Sequence, residues 1–160
     1  MRSRTVWAIL ALVVVLIVIV LMRFNLAALQ GPGPLETLVS NRVTRFVIRR
    51  ASHRGIPPRP LDVKGSAASG GARYDSECSI CHGSDGRGQT PIGQWMHPRA
   101  ADLTSEEVQS FSDQELFWII QNGIRFTGMP AFGKVETGGD IWNLVKYVRT
   151  LPGALRKESR

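Results

Sequence analysis

Cys78-Ser79-Ile80-Cys81-His82 is the stretch on which the reading of this chain turns. Two thiols three positions apart, followed at once by an imidazole, form the CxxCH pattern of covalent haem attachment. The thiols are spaced to reach the two vinyl groups of one haem, and the His82 ring follows closely enough to ligate its iron. A CxxC pair alone also suits a redox dithiol or half of a zinc site. Neither role requires a histidine directly after the second cysteine. These are the only two cysteines in 160 residues, so a four-thiolate zinc site would lack half its ligands.

An iron used for electron transfer needs a second axial ligand, and a thioether both raises the potential and blocks exogenous ligands. Of the four methionines, Met1 and Met22 lie in or before an apolar N-terminal run. Met96 and Met129 remain. Met129 stands in Thr127-Gly-Met-Pro-Ala-Phe132, where Gly128 permits close approach and Pro130 stiffens the loop. Met129 is therefore the expected second ligand, with Met96 next and His97 and His53 as imidazole rivals.

Outward from this centre, the charge is uneven. Residues 1–64 carry ten Lys/Arg against Glu36 and Asp62, a net of +8, while residues 65–160 carry ten against eleven Asp/Glu, a net of −1. The basic balance belongs to the N-terminal part. A nucleic-acid binder would place it on a folded recognition surface, so no nucleic-acid partner is expected. Val6 to Met22 is seventeen residues without a charge, about 25 Å of helix, enough to cross a bilayer with help from Leu26–Leu29 or from snorkelling arginines. The run exceeds the apolar core of a cleaved signal, and Arg23 interrupts it before any small-residue site. An uncleaved anchor over 1–29 is expected. Arg2 and Arg4 favour a cytoplasmic N-terminus; the arginines that follow the run oppose this on a plain count, but most lie beyond the range of the rule.

Residues 30–67 begin with Gln30-Gly-Pro-Gly-Pro34, a break that ends the membrane helix. A cationic amphipathic helix follows over 35–50, with Leu35, Leu38, Val39, Val43, Phe46 and Val47 near one face and Arg42, Arg45 and Arg49 assigned to the other. Such a helix suits an anionic lipid surface, a membrane subunit, or a solvated spacer. The Pro/Gly/Ser-rich stretch from Gly55 to Gly71 reads as flexible linker. Residues 68–152 then read as a small helical domain, with helices over about 68–79, from about 105 and 113 behind Thr104/Glu107 and Ser112/Glu115 capping boxes, and over 141–151 behind Asp140. Residues 153–160 form a polar tail. Such a domain is too small for a large apolar core, and a haem at its centre supplies the missing volume.

Residues 68–152 resemble class I c-type cytochromes, in particular bacterial monohaem domains borne on an N-terminal membrane helix. Gly70 and Tyr74 match the small and aromatic positions of the family's first helix, and Leu144 and Tyr147 match their partners on the last. Pro91-Ile-Gly93 resembles the loop whose proline carbonyl accepts the ligand imidazole's Nδ1–H, which would make Pro91 a haem-site residue. Pro98–Thr104 and Ser112–Ile124 also match, although His97 stands where an aromatic is expected.

The resemblance implies an all-α class I cytochrome fold around one covalent haem c, preceded by a single transmembrane helix. It also implies assembly outside the cytoplasmic membrane, which outweighs the charge count. The expected protein is an electron carrier and not itself an enzyme. It passes single electrons between respiratory or photosynthetic membrane complexes, with Cys78, Cys81, His82, Met129 and Pro91 at the haem, and iron on His82 and Met129. Expected partners are a membrane-bound oxidoreductase complex or another cytochrome, and the lipid bilayer, with no small-molecule substrate. A haem-based sensor or a peroxidase-like protein with Met129 displaced is the rival.

Overall fold

The computed structural model describes residues 2–23, 31, 33–53, 56 and 67–151. These are helical throughout their regular parts and fall into two units, Met1–Gly31 and Pro32–Arg160. The first is α1 (Arg2–Arg23), with a membrane-spanning length and composition from Arg4 to Met22 and no buried side chain there. Such a helix has no polar face to give to water over this stretch, the composition of a single membrane-crossing segment.

The second unit contains α2 (Pro34–Ser52), α3 (Ala67–Arg73), a π-helical turn (Tyr74–Cys78), α4 (Ser79–His82), α5 (Pro91–Trp95), α6 (Glu106–Gln109), α7 (Asp113–Asn122), a 3-10 turn (Phe132–Lys134) and α8 (Gly138–Thr150). Its core is Tyr74, Leu116, Phe117, Ile120, Ile141, Trp142, Leu144, Val145, Val148 and Leu151. The two terminal helices of the domain, α3 and α8, cross at glycine. A Cβ on Gly70 would lie 2.1 Å from the Asn143 carbonyl oxygen, so only the absence of a side chain lets the backbones meet. Tyr74 and Tyr147 close the crossing with ring centroids 4.9 Å apart, in the pairing expected from sequence.

Three boundaries differ from expectation. Gly70 and Gly71 belong to α3 and are buried, so the linker ends earlier than Gly71; residues 57–66 and 152–160, where the rest of the linker and the tail were expected, lie outside the described residues. Ser105, not Thr104, caps α6, because Thr104 turns back to Asp102 through both its N–H and its hydroxyl. Thr137, not Asp140, caps α8 and extends it by three residues through Gly138-Gly139. The Ser112/Glu115 capping box forms as expected.

Helix α2 is neither a free spacer nor wholly available to another surface. Its C-terminal half packs on the helical domain beside α7, burying Ile48 and Ser52. Arg45 donates to the Glu107 carbonyl (2.8 Å) and Ser110 Oγ (3.1 Å), and its guanidinium lies 4.7 Å over the Phe111 ring. Arg49 approaches the buried Glu115 carboxylate at 3.6 Å.

Candidate functional site

The CxxCH residues are wound tightly by their local sequence. The π-helical turn Tyr74–Cys78 passes into α4, a single turn that ends at Gly83 with φ +77°, a conformation glycine adopts at little cost. The Tyr74 hydroxyl donates to the Gly83 carbonyl at 2.7 Å, tying the end of α4 to the core. Gly88 N–H donates to the His82 carbonyl (2.7 Å), and Thr90 Oγ1 to the Cys81 carbonyl (3.0 Å). A Cβ on Gly93 would lie 2.3 Å from that same Cys81 oxygen. The chain leaving His82 therefore folds directly back beneath the motif.

That return path orients the imidazole. His82 Nδ1 pairs with the Ala101 carbonyl at 2.9 Å, so Nδ1 is the donor and the Nε2 lone pair is free for a metal. Burial pushes the His82 pKa down, with the Ala101 bond opposing it, which favours the neutral, ligating form. The role expected of the Pro91 carbonyl thus belongs to Ala101. Pro91 is instead the first residue of α5, behind the Thr90 cap, where its missing N–H costs nothing. Pro91 opens α5, whereas Ala101 lies on the segment beyond that helix, where the chain passes back against His82.

Cys78, Cys81 and His82 form one wall of a mostly apolar cavity of about 330 Å³. Ile120 and Ile124 line it from α7 and the segment beyond, and Met129 and Phe132 from further along the chain. Burial first, then the charge of Glu77, pushes the Cys78 thiol up to about 12, holding it as a neutral group in an apolar wall. The Met129 segment is fastened to the end of α7. Thr127 Oγ1 donates to the Ile124 carbonyl (2.7 Å) and accepts from Met129 N–H (3.1 Å). Gly123, at φ +66°, leaves no room for a Cβ beside the Met129 carbonyl. Phe126 within this loop has φ +63° and is 92% exposed.

Met96 also lines the cavity, and its Sδ would lie 2.8 Å from a Cβ on Gly128. Gly128 thus makes room for the second methionine. His97 does not line the cavity; its Nδ1 is buried without a hydrogen-bond partner. His53 is exposed at the end of α2. Among the described residues, no cluster of three or more His, Cys, Asp or Glu side chains could hold a bare metal ion. The donor set instead fits a haem: two thiols and an imidazole with a free Nε2 on one wall, thioether sulfurs elsewhere on the lining, and aliphatic side chains between.

The matching family and a curated relative agree with this chemistry. Residues 65–148 match the family described as Cytochrome C oxidase, cbb3-type, subunit III. Cytochrome c-554(547) of Halothiobacillus neapolitanus is 41% identical over 95 residues, which cover 54% of this chain and 98% of that protein. A solved structure, the reducing HAO-like protein complex of Kuenenia stuttgartiensis, aligns at 24% identity with a TM-score of 0.49, over 64% of this chain and 54% of that one. With its family match spanning half the sequence and a curated cytochrome covered almost end to end, this chain belongs to the c-type cytochromes, in the family described as Cytochrome C oxidase, cbb3-type, subunit III.

Proposed function

We propose that this chain is a membrane-anchored monohaem cytochrome c that carries single electrons between membrane-bound respiratory or photosynthetic complexes, as an associated subunit. It is an electron carrier and not a catalytic enzyme. The observation that carries the reading is the meeting of Cys78, Cys81, His82 and Met129 on one apolar cavity, although Met129 lies forty-seven residues beyond His82 in sequence. When bound, the haem supplies the one-electron iron couple. Cys78 and Cys81 would hold it covalently, and His82 would ligate iron through Nε2 while Ala101 fixes its ring. Met129 would be the second ligand, and the aliphatic lining would exclude water.

The motif requires attachment outside the cytoplasm, so the Pro32–Arg160 unit is assigned to the periplasmic side with the N-terminus of α1 inside. Its partner is a membrane-bound oxidoreductase complex or another cytochrome. The name of the matching family favours a place within an oxidase complex.

Met96 on the same cavity is the specific observation behind a different ligand assignment. Substitution separates the two. Met129→Ala should keep its covalent haem, lose the long-wavelength charge-transfer band of a methionine–iron(III) bond, and fall in potential, whereas Met96→Ala should keep both. The reverse result would move the ligand to Met96. His82→Ala should yield little haem-bearing protein on a haem-stained gel, because iron ligation and core filling fail together. A low-spin His82→Ala cytochrome of normal yield would sink the proposal.

A further inference from the structure

Helix α2 is amphipathic in the opposite sense to a helix that closes a soluble core. On the side turned to the domain, Ile48 is its only large buried apolar residue, flanked by buried or half-buried Thr44, Ala51 and Ser52. Leu35, Leu38, Val39, Val43, Phe46 and Val47 are each 50–73% exposed on the outer side. Arg42 and Arg50 are exposed as well, and at helical spacing they fall among these apolar residues, in the case of Arg42 against the opposite face that the sequence pattern suggested. Glu36 is the only acidic residue in the helix. An apolar face of more than three turns, held outward by the contacts of Arg45, Ile48 and Arg49, requires a partner.

We infer that this face lies in the headgroup region of the anionic bilayer that holds α1, with Phe46 and the aliphatic side chains at the acyl boundary and Arg42 and Arg50 on lipid phosphates. The inference rests on the reading of α1 as a membrane span. Three observations select lipid over protein. Ten residues separate Arg23 from Pro34, at most about 35 Å when fully extended, so α2 cannot leave the neighbourhood of the membrane. The arginines are interleaved with the apolar residues; in a protein interface they would be desolvated and need acidic partners, whereas at a lipid surface they snorkel to phosphate. The cationic balance of residues 1–64 complements an anionic leaflet.

The test uses the full-length holoprotein in nanodiscs of phosphatidylcholine alone or with phosphatidylglycerol. Cys78 and Cys81 are consumed by the haem, so a nitroxide attaches only to an introduced cysteine. At Val43→Cys, or at Val39→Cys should the first not mature, spin relaxation should respond severalfold more to oxygen than to a water-soluble nickel chelate. At Asn41→Cys, away from the apolar face, the order should reverse. Adding Arg42→Glu and Arg50→Glu should shift the Val43 label toward water in anionic discs only. A Val43 label fully open to nickel in anionic discs overturns the inference. So does a label shielded from both reagents, which indicates a protein neighbour or a second copy. Should the chain fail to stay with the disc after a carbonate wash, α1 is not a span and the inference falls with that reading.

Discussion

At the scale of single residues, the cavity wall contains a carboxyl under strain from its surroundings. Burial first, then hydrogen bonding and charge from Glu136, hold Glu77 above its ordinary pKa of 4.5; Arg73 pulls it down and Asp140 pushes it up. Arg73 is already committed to Glu136 and Asp140. Because the folded-state pKa is raised, the stabilisation from protonated Glu77 is complete below about pH 4.5 and is lost as pH rises through the folded value. Thermal unfolding of the holoprotein from pH 4 to 8 should therefore decline less steeply in Glu77→Gln than in wild type; parallel curves would show that Glu77 carries no such charge penalty. Cys78, Cys81 and His82 stand out in sequence as candidates because CxxCH is a covalent spacing rule. Ala101 does not, because any backbone carbonyl can accept an imidazole N–H, and only the fold selects one.

At the scale of elements, glycine decides how the domain closes. The Asn143 oxygen 2.1 Å from a Gly70 Cβ is backbone, so it cannot swing aside, and Tyr147 Cβ stands 3.0 Å away. Gly70→Ala should force α3 and α8 apart and cost about 3 kcal/mol in denaturant unfolding of the holoprotein, while Gly71→Ala, which meets only the ring of Tyr147, should cost less. Equal costs would mean that the crossing tolerates a methyl group. The capping box at Ser112 was readable because the box and its apolar run coincide. Helix α8 was read three residues short, since Gly138-Gly139 looks like a break until Thr137 is seen to cap it. The short α5 was missed because Pro91 and Gly93 suggest a turn, whereas Pro at the first helical position after a Thr cap is a helix start.

At the scale of the whole molecule, the chain divides into two compact units, Met1–Gly31 and Pro32–Arg160. Every described side chain of α1 is exposed, and the core of the second unit is built from residues of that unit alone. A variant lacking residues 2–23 and exported by a cleavable signal should reach a haem content and melting temperature matching the full-length protein. It should also leave the membrane in a carbonate wash. A large fall in melting temperature would mean that the second unit does not fold by itself.

The docking of Arg45 and Ile48 also sets the length of the leash. Were α2 free, the whole stretch from residue 24 to 66 could pay out between bilayer and haem. With α2 fastened beside α7, the segment after it begins and ends on the same folded body and adds no reach. Only residues 24–33 remain, at most about 35 Å of chain. The tether between α1 and the folded unit is therefore ten residues long, and lengthening or shortening that stretch, not the one after α2, is what would change its reach.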